Sequence, residues 1–185
     1  GLAEAMNYRG VIFRDPEILS KIKVALSMGK RIDGHAPGLS GNDLMAYAAA
    51  RITSEHEATT LDEAKEKLSA GMHIHIREGS TAKDLTSLVD LITPSTDLFC
   101  SFVTDDRNTL DLISKGHIDS MVRRAIEFGV DPVSAIRVAS YSTARHYGLQ
   151  YIGAVAPGFH ADIVVLDSLE NIGVEMVFKE GVLVA

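Results

Sequence analysis

Four strand-like segments of the chain end in an acidic or imidazole side chain. They end at His35, His56, Glu78 and Asp105, and a helical pattern follows each one. In a parallel sheet or barrel with helical crossovers, reactive groups gather at the carboxyl ends of the strands. Imidazoles and carboxylates in that position favour a metal site. Any single one of these residues could instead be a polar group that starts a loop.

The two histidines that end strands stand in different surroundings. His35 follows Asp-Gly and precedes Ala-Pro-Gly, a stiff loop that would hold an imidazole at the mouth of a barrel. His56 lies between Glu55 and Glu57, and strand alternation predicts that both glutamates point to the opposite face. We therefore take His35 and His56 as the ligands, with a backbone-bonded loop histidine as the alternative for His35.

The other acidic and imidazole groups leave alternatives open. Glu78 ends its strand, which predicts a substrate contact or a proton relay, and an ion pair with Arg77 is the alternative. His117 begins a helix, so it either reaches the pocket from a loop or caps that helix. Asp105 and Asp106 are adjacent and point apart, so at most one joins the site. Asp106 is better suited to a helix cap or to a salt bridge with Arg107.

Several other chemically capable residues are predicted to be structural. His73 and His75 form a His-x-His pair, but they lie early on their strand, away from its carboxyl end. His146 falls in a helical region and is expected to be structural or exposed. Cys100 lies in an apolar strand without a base nearby in sequence, which favours a core position over a nucleophile.

Length and charge limit the function. The 185 residues fit one domain, whereas a full (β/α)₈ barrel has roughly 250. The net charge of −7 disfavours nucleic acid and anionic membranes as partners and favours a small neutral or polar substrate. The single cysteine cannot form an internal disulfide, which is typical of a protein in the cytoplasm.

Capping signals and turn residues place several elements. Asp15-Pro16 predicts a helix that ends near Gly29, and Thr60-Leu-Asp-Glu63 is a capping box. Toward the C-terminus, residues 162–166 predict a buried strand, and the residues on both sides of Lys179-Glu-Gly181 predict a hairpin. We expect a boundary between residues 148 and 158, with a catalytic part over residues 1–150 and a strand-rich part over residues 151–185.

The order of the motifs resembles the amidohydrolase superfamily and, within it, the adenine deaminases. The resemblance covers essentially the whole chain. The matching motifs are Ala-Glu4, Asp-Gly-His35-Ala-Pro-Gly, Ser-Glu-His56-Glu, Ile-Arg-Glu78-Gly-Ser, Val-Thr-Asp105-Asp-Arg, Gly-His117-Ile-Asp and the segment from Gly153 to Leu166.

The resemblance implies a site and a reaction. Glu4 would be the carboxylate that bridges two divalent metal ions, commonly Mn, Fe or Zn. His35 and His56 would be further ligands, and Asp105 would be both a ligand and the group that moves protons. Glu78 or His117 would complete the relay. The implied substrate is a purine, and the implied reaction converts adenine to hypoxanthine and ammonia.

The chain also departs from the superfamily pattern. The superfamily's His-x-His pair ends the first barrel strand, whereas His73-Ile-His75 falls on the strand that corresponds to the seventh. We therefore expect the C-terminal half of a (β/α)₈ metallo-hydrolase barrel, followed by a short β-rich segment of a composite β-sandwich. Without the strand-one histidine pair, we expect this segment alone to be inactive, and because a half-barrel has unpaired edges we expect it to form homo-oligomers.

Two other functions remain as alternatives. The first is a cyclic amidohydrolase of the dihydroorotase or hydantoinase kind, in which a carbamylated lysine usually stands where this chain has Glu4. The second is a fragment that only associates with other chains. The separate class of zinc deaminases, with its Pro-Cys-x-x-Cys motif, is excluded because Cys100 is the one cysteine.

Overall fold

The larger of two sheets is parallel, and its strands lie side by side in chain order. The computed structural model describes all 185 residues. The five strands are β1 (Leu2–Ala5), β2 (Ile32–Gly34), β3 (Ser54–Glu55), β4 (His73–Arg77) and β5 (Cys100–Val103). The helices between them are α1 (Tyr8–Ile12), α2 (Pro16–Ser27), α3 (Gly41–Ala49), α4 (Leu61–Ser69) and α5 (Leu85–Leu88). This α/β architecture confirms the predicted repeat of strand and helix.

Four more helices follow the last parallel strand. They are α6 (Thr109–Lys115), α7 (Ile118–Glu127), α8 (Pro132–Arg137) and α9 (Thr143–Tyr147), and a π-helical turn over Val138–Ser142 joins the last two. None of the helices combines the length and the apolar character that a membrane span requires.

The predicted helix starts are confirmed by their caps. The Asp15 carboxylate accepts a hydrogen bond from the Glu17 N–H at 2.8 Å, and Pro16 is the first residue of α2. The Thr60 hydroxyl accepts one from the Glu63 N–H at 3.3 Å at the start of α4. Each side chain satisfies a backbone donor that has no partner within the helix.

The second sheet is antiparallel and contains β6 (Ile163–Leu166), β7 (Val174–Lys179) and β8 (Val182–Leu183). The hairpin between β7 and β8 confirms the turn predicted at Lys179-Glu-Gly181. The prediction that β6 is buried is wrong, because Val164 is 54% exposed. The pairing of β6 with β7 is irregular between Val165 and Leu166, and Leu166 packs against the main core although Val164, two residues earlier, is exposed. The proposed boundary near residue 150 precedes this sheet and stays a prediction.

The alternation of side chains along the strands makes one face of the large sheet apolar and the other polar. On β4, Ile74 and Ile76 are buried in a hydrophobic cluster that includes Met121 of α7 and Cys100 of β5, as predicted for the cysteine. His73, His75 and Arg77 are the alternate residues of the same strand and therefore face the other side. The apolar side is covered by helices, and the other side carries the polar groups.

A buried ion pair between Glu55 and Lys67 holds the loops that follow β2 and β3. Both side chains are 0% exposed, and Lys67 Nζ lies 3.1 Å from Glu55 Oε2. The Glu55 carboxylate also accepts hydrogen bonds from the N–H groups of Ala36, Glu57 and Ala58 at 2.9–3.2 Å. Lys67 donates to the Ala36 carbonyl at 2.8 Å. These bonds compensate the cost of burying two charges.

Replacing Lys67 with Met should lower the free energy of unfolding by about 3–5 kcal/mol, because Glu55 would remain buried without a counter-charge. Denaturant titration measures this change. Lys65→Met, at an exposed position of the same helix, is the matched control and should change the stability by about 0.5 kcal/mol or less. Equal effects of the two substitutions would contradict the role of the buried pair.

Candidate metal centre

Glu4, His35 and His56 meet at the carboxyl ends of β1, β2 and β3. Glu4 Oε2 lies 3.4 Å from His35 Nδ1 and 3.1 Å from His56 Nε2. One ligand atom from each residue lies within 4.8 Å of the other two. The three side chains come from residues that are 52 positions apart at most, and the parallel register brings them to one end of the sheet.

The chemistry of this cluster suits a divalent metal. One carboxylate and two imidazole nitrogens are ligands for Zn, Mn and Fe. His35 Nδ1 is buried and has no hydrogen-bond partner in the protein. A buried nitrogen without a partner is costly, and a metal ion would satisfy it. The predicted ligands Glu4, His35 and His56 are therefore brought together in a form that fits an ion.

Asp33 orients His56. Its Oδ2 lies 2.9 Å from His56 Nδ1, and its Oδ1 accepts a 2.7 Å hydrogen bond from the Ser54 hydroxyl. Burial alone would lower the pKa of His56, but the hydrogen bond and charge of Asp33 outweigh it and raise that pKa. Burial alone would raise the pKa of Asp33, but His56, His75 and Ser54 together lower it. The contact fixes the ring so that Nε2 faces Glu4.

Sequence reasoning did not identify Asp33 as part of the site. One feature of the sequence could have identified Asp33. It lies two residues before His35, and residues two apart on a strand share a face. Gly34 between them permits close packing, since a Cβ at this position would lie 2.7 Å from the Ser54 carbonyl oxygen. The Tyr47 hydroxyl also ties the loop, as it accepts from the His35 N–H at 3.1 Å and donates to the Ala5 carbonyl at 2.8 Å.

The prediction that Glu57 points away from His56 is wrong. Glu57 Oε1 lies 3.5 Å from His56 Nε2 and 3.6 Å from His35 Nδ1. The strand β3 ends at Glu55, so the alternation of side chains does not continue to residue 57. Glu55 does point away from the histidines, toward Lys67. Glu57 is thus a second carboxylate beside the two imidazoles.

Asp105 lies just beyond β5 and is separate from the three-residue cluster. Its side chain is 45% exposed, and its Oδ2 lies 3.5 Å from an Arg77 guanidinium nitrogen. Its φ of +45° is in the left-handed region, which few residues other than glycine adopt. Asp106 accepts hydrogen bonds from the N–H groups of Ser80 and Thr81, both at 3.0 Å, instead of pairing with Arg107.

Glu78 occupies a different place from the one predicted. It follows Arg77, so its side chain lies on the side of the sheet where α7 packs, and not at the mouth. It pairs with Arg124 of α7 and accepts from the Leu85 N–H at 3.3 Å. This position agrees neither with the substrate contact expected for Glu78 nor with the alternative, an ion pair with Arg77.

His117 is the residue that precedes α7, and its side chain makes no capping hydrogen bond. Its Nε2 lies 3.1 Å from the Thr104 hydroxyl, one residue before Asp105. Of the two readings of the sequence, the structure therefore excludes the cap and places the ring beside the loop that carries Asp105.

A buried cluster of histidines lies on the same face of the sheet as Arg77. The ring of His146 stacks on that of His73 with centroids 4.2 Å apart, and the His75 ring lies 5.2–5.3 Å from both. The Tyr147 hydroxyl is 3.2 Å from His75 Nε2. Burial lowers the pKa of His73 to about 2 and those of His75 and His146 to about 4. His146 is thus buried and packed, which agrees with the structural position expected for it and not with the exposed one.

These histidines should make the folded protein sensitive to acid. They are neutral when folded but bind protons near pH 6.5 when unfolded. The free energy of unfolding should therefore fall as the pH drops from about 6.5 to 4. Replacing His146 with Phe preserves the stacking and should reduce that slope by up to about 1.4 kcal/mol per pH unit. Denaturant titrations across this range test it, and parallel curves for the two proteins would contradict it.

Comparison with known proteins identifies the family. A model described as "Amidohydrolase family" matches residues 1–184. The chain therefore belongs to the amidohydrolase family. Divalent metals are the usual cofactors of this family, which agrees with the donor set at Glu4, His35 and His56.

Curated relatives with about 50% identity carry one name. Adenine deaminase of Kosmotoga olearia is 49% identical over 185 residues, which is 100% of this chain and 32% of that protein. Adenine deaminase of Desulfatibacillum aliphaticivorans is 52% identical over 98% of this chain and 32% of its own length. The chain thus spans about a third of the length of these relatives.

Solved structures share the fold at low identity. Beta-aspartyl dipeptidase of Fervidobacterium islandicum matches with a TM-score of 0.69 and 14% identity, over 99% of this chain and 56% of that one. N-acetyl-D-glucosamine-6-phosphate deacetylase of Mycobacterium smegmatis also matches with a TM-score of 0.69, at 18% identity, over 91% of this chain and 51% of that one. At this identity the likeness concerns the fold alone.

Proposed function

We propose that the protein containing this chain hydrolyses adenine to hypoxanthine and ammonia. The observation that carries the proposal is the Glu4, His35 and His56 cluster at the carboxyl ends of three neighbouring parallel strands. The identity of about 50% to adenine deaminases, which extends over the whole chain, selects this reaction among those of the family.

The five parallel strands correspond in this proposal to strands four to eight of a (β/α)₈ barrel. Three facts support it: the strands lie in chain order, helices separate them, and the candidate ligands stand at their carboxyl ends. Active sites of such barrels lie at this face. The antiparallel sheet of β6, β7 and β8 is the β-rich segment of a composite sandwich, with the division near residue 150.

Glu4, His35 and His56 are the residues of this chain that would hold two divalent ions, with Mn, Fe and Zn as the candidates. Glu4 lies beside both imidazoles, so its carboxylate and the two rings would offer their ligand atoms together. Bound cations supply the charge that makes a water molecule nucleophilic near neutral pH. Asp33 keeps His56 in the orientation that ligation requires.

Asp105 carries the proton transfers in this proposal. Water adds to C6 of adenine, the bond from C6 to the amino nitrogen breaks, and ammonia leaves. Asp105 accepts the proton of the water and delivers it to the purine ring or to the leaving nitrogen. Its position at the end of β5, its partial exposure and its contact with Arg77 support this role. His117, beside Thr104, is the residue that would assist it.

The complete protein should release ammonia from adenine and require a divalent metal. The measurement is ammonia production from adenine by the full-length protein, before and after removal of metal with a chelator and after its return. Dihydroorotate and hydantoin are the comparison substrates. Hydrolysis of these cyclic amides without deamination of adenine would replace the proposal with a cyclic amidohydrolase.

Asp105→Asn in the full-length protein should lower kcat by roughly two to four orders of magnitude, because a positioned proton carrier contributes about that factor. Glu4, His35 and His56 should still retain at least one metal ion. Elemental analysis measured together with kcat tests this. Loss of metal in step with loss of activity would show that Asp105 acts chiefly as a ligand.

A further inference from the structure

Arg77 lies between the two halves of the site. Its strand, β4, stands between β3 and β5, so Arg77 separates His56 from Asp105. Its side chain is 8% exposed. A guanidinium at this depth must have its charge compensated by nearby carboxylates.

Three carboxylates surround this one cation. Glu57 pairs with it through both oxygens, one to each terminal nitrogen, with the Oε2 contact at 3.2 Å. Asp84 Oδ2 accepts from Arg77 Nε at 3.2 Å, and Asp105 Oδ2 lies 3.5 Å from the nitrogen that also contacts Glu57. The planar guanidinium has donors on three sides, so it can hold all three groups in a fixed arrangement.

Glu57 extends this arrangement to the candidate ligands. Its Oε1 is within 3.6 Å of ring nitrogens of both His35 and His56. The contacts therefore form a path from the imidazoles through Glu57 and Arg77 to Asp105. The Asp84 contact on the opposite side anchors the guanidinium.

We propose that Arg77 is a positioning residue that sets the location of the Asp105 carboxylate relative to the Glu4, His35 and His56 cluster. The inference rests on the proposed function only in that Asp105 moves the proton. Without Arg77, the carboxylates of Glu57 and Asp105 would repel each other across the site. A displacement of about 1 Å of a catalytic group costs on the order of 100-fold in rate.

A double-mutant cycle in the full-length, metal-loaded protein tests the inference. Arg77→Gln should lower kcat on the order of 100-fold, with the metal content retained and KM changed by about threefold or less. In the Asp105→Asn background, the same substitution should lower kcat by about threefold or less, because the group that Arg77 positions is already absent. The cycle is measured with whichever of adenine, dihydroorotate and hydantoin the unmodified protein hydrolyses, so it does not depend on the identity of the substrate.

Arg77→Lys keeps the positive charge and replaces Arg77→Gln in the cycle if the Gln variant does not fold. An ammonium group cannot pair with Glu57 in a fork and also hold Asp105, so kcat should again fall and the loss should again depend on Asp105. Arg137→Gln is the matched control, because Arg137 pairs at 2.6 Å with the buried Asp97 away from the site. It should lower stability and leave kcat unchanged.

If the fold-loss in kcat of an Arg77 variant and that of Asp105→Asn multiply in the double variant, the inference is overturned. Loss of metal from the Arg77 variants in step with the loss of kcat would also overturn it. A fall in kcat for Arg137→Gln equal to that for Arg77→Lys would also overturn it, because a general loss of stability would then explain both. A full-length protein that hydrolyses a cyclic amide but not adenine would refute the proposed deamination and leave this cycle to decide the role of Arg77.

Discussion

The buried pair of Glu55 and Lys67 is the interaction on which the geometry of the site depends. Glu55 follows Ser54 in the short strand β3, and its carboxylate accepts three backbone N–H groups, one from the loop after β2 and two from the loop after β3. His35 and His56 each stand next to one of these loop segments. Lys67, from the following helix, neutralises the carboxylate and binds the Ala36 carbonyl. One buried charge thereby fixes the two loops that carry the candidate ligands against each other.

A second constraint is the period of two along each strand. On β4 it sends two isoleucines into the helical layer and places His73, His75 and Arg77 on the other face. This face is unusually polar for the interior of a parallel sheet, and its histidines are kept neutral by burial. The candidate metal ligands, an arginine and several carboxylates therefore meet next to a layer of uncharged imidazoles.

Charge balance connects these features. Glu4, Glu57, Asp84 and Asp105 all lie near the carboxyl ends of the strands, and Arg77 contacts three of them directly. Glu4 contacts the imidazoles instead. The site has more negative than positive side-chain charge around the cluster, which favours the binding of cations.

Much of the fold followed from the sequence, because its signals are local. Asp15-Pro16 and Thr60 to Glu63 identified helix starts through caps that involve residues two or three positions apart. The strand-like segments that end in His35 and His56 indicated candidate ligands, and the family resemblance implied Glu4. The apolar strand around Cys100 predicted its core position, but strand alternation failed at Glu57, because the sequence does not show that β3 ends at Glu55.

By itself, the sequence indicated some of the residues that could do chemistry, among them His35 and His56, and the end of the sheet at which they would lie. Helix caps and side-chain periodicity are properties of short segments, so they can be read from the chain. Only the tertiary structure decided that Asp33 orients His56, that Glu78 pairs with Arg124 and that Arg77 lies between Glu57 and Asp105. These contacts join residues 20 to 46 positions apart. Their distances depend on how strands and helices pack, and no local pattern encodes that packing.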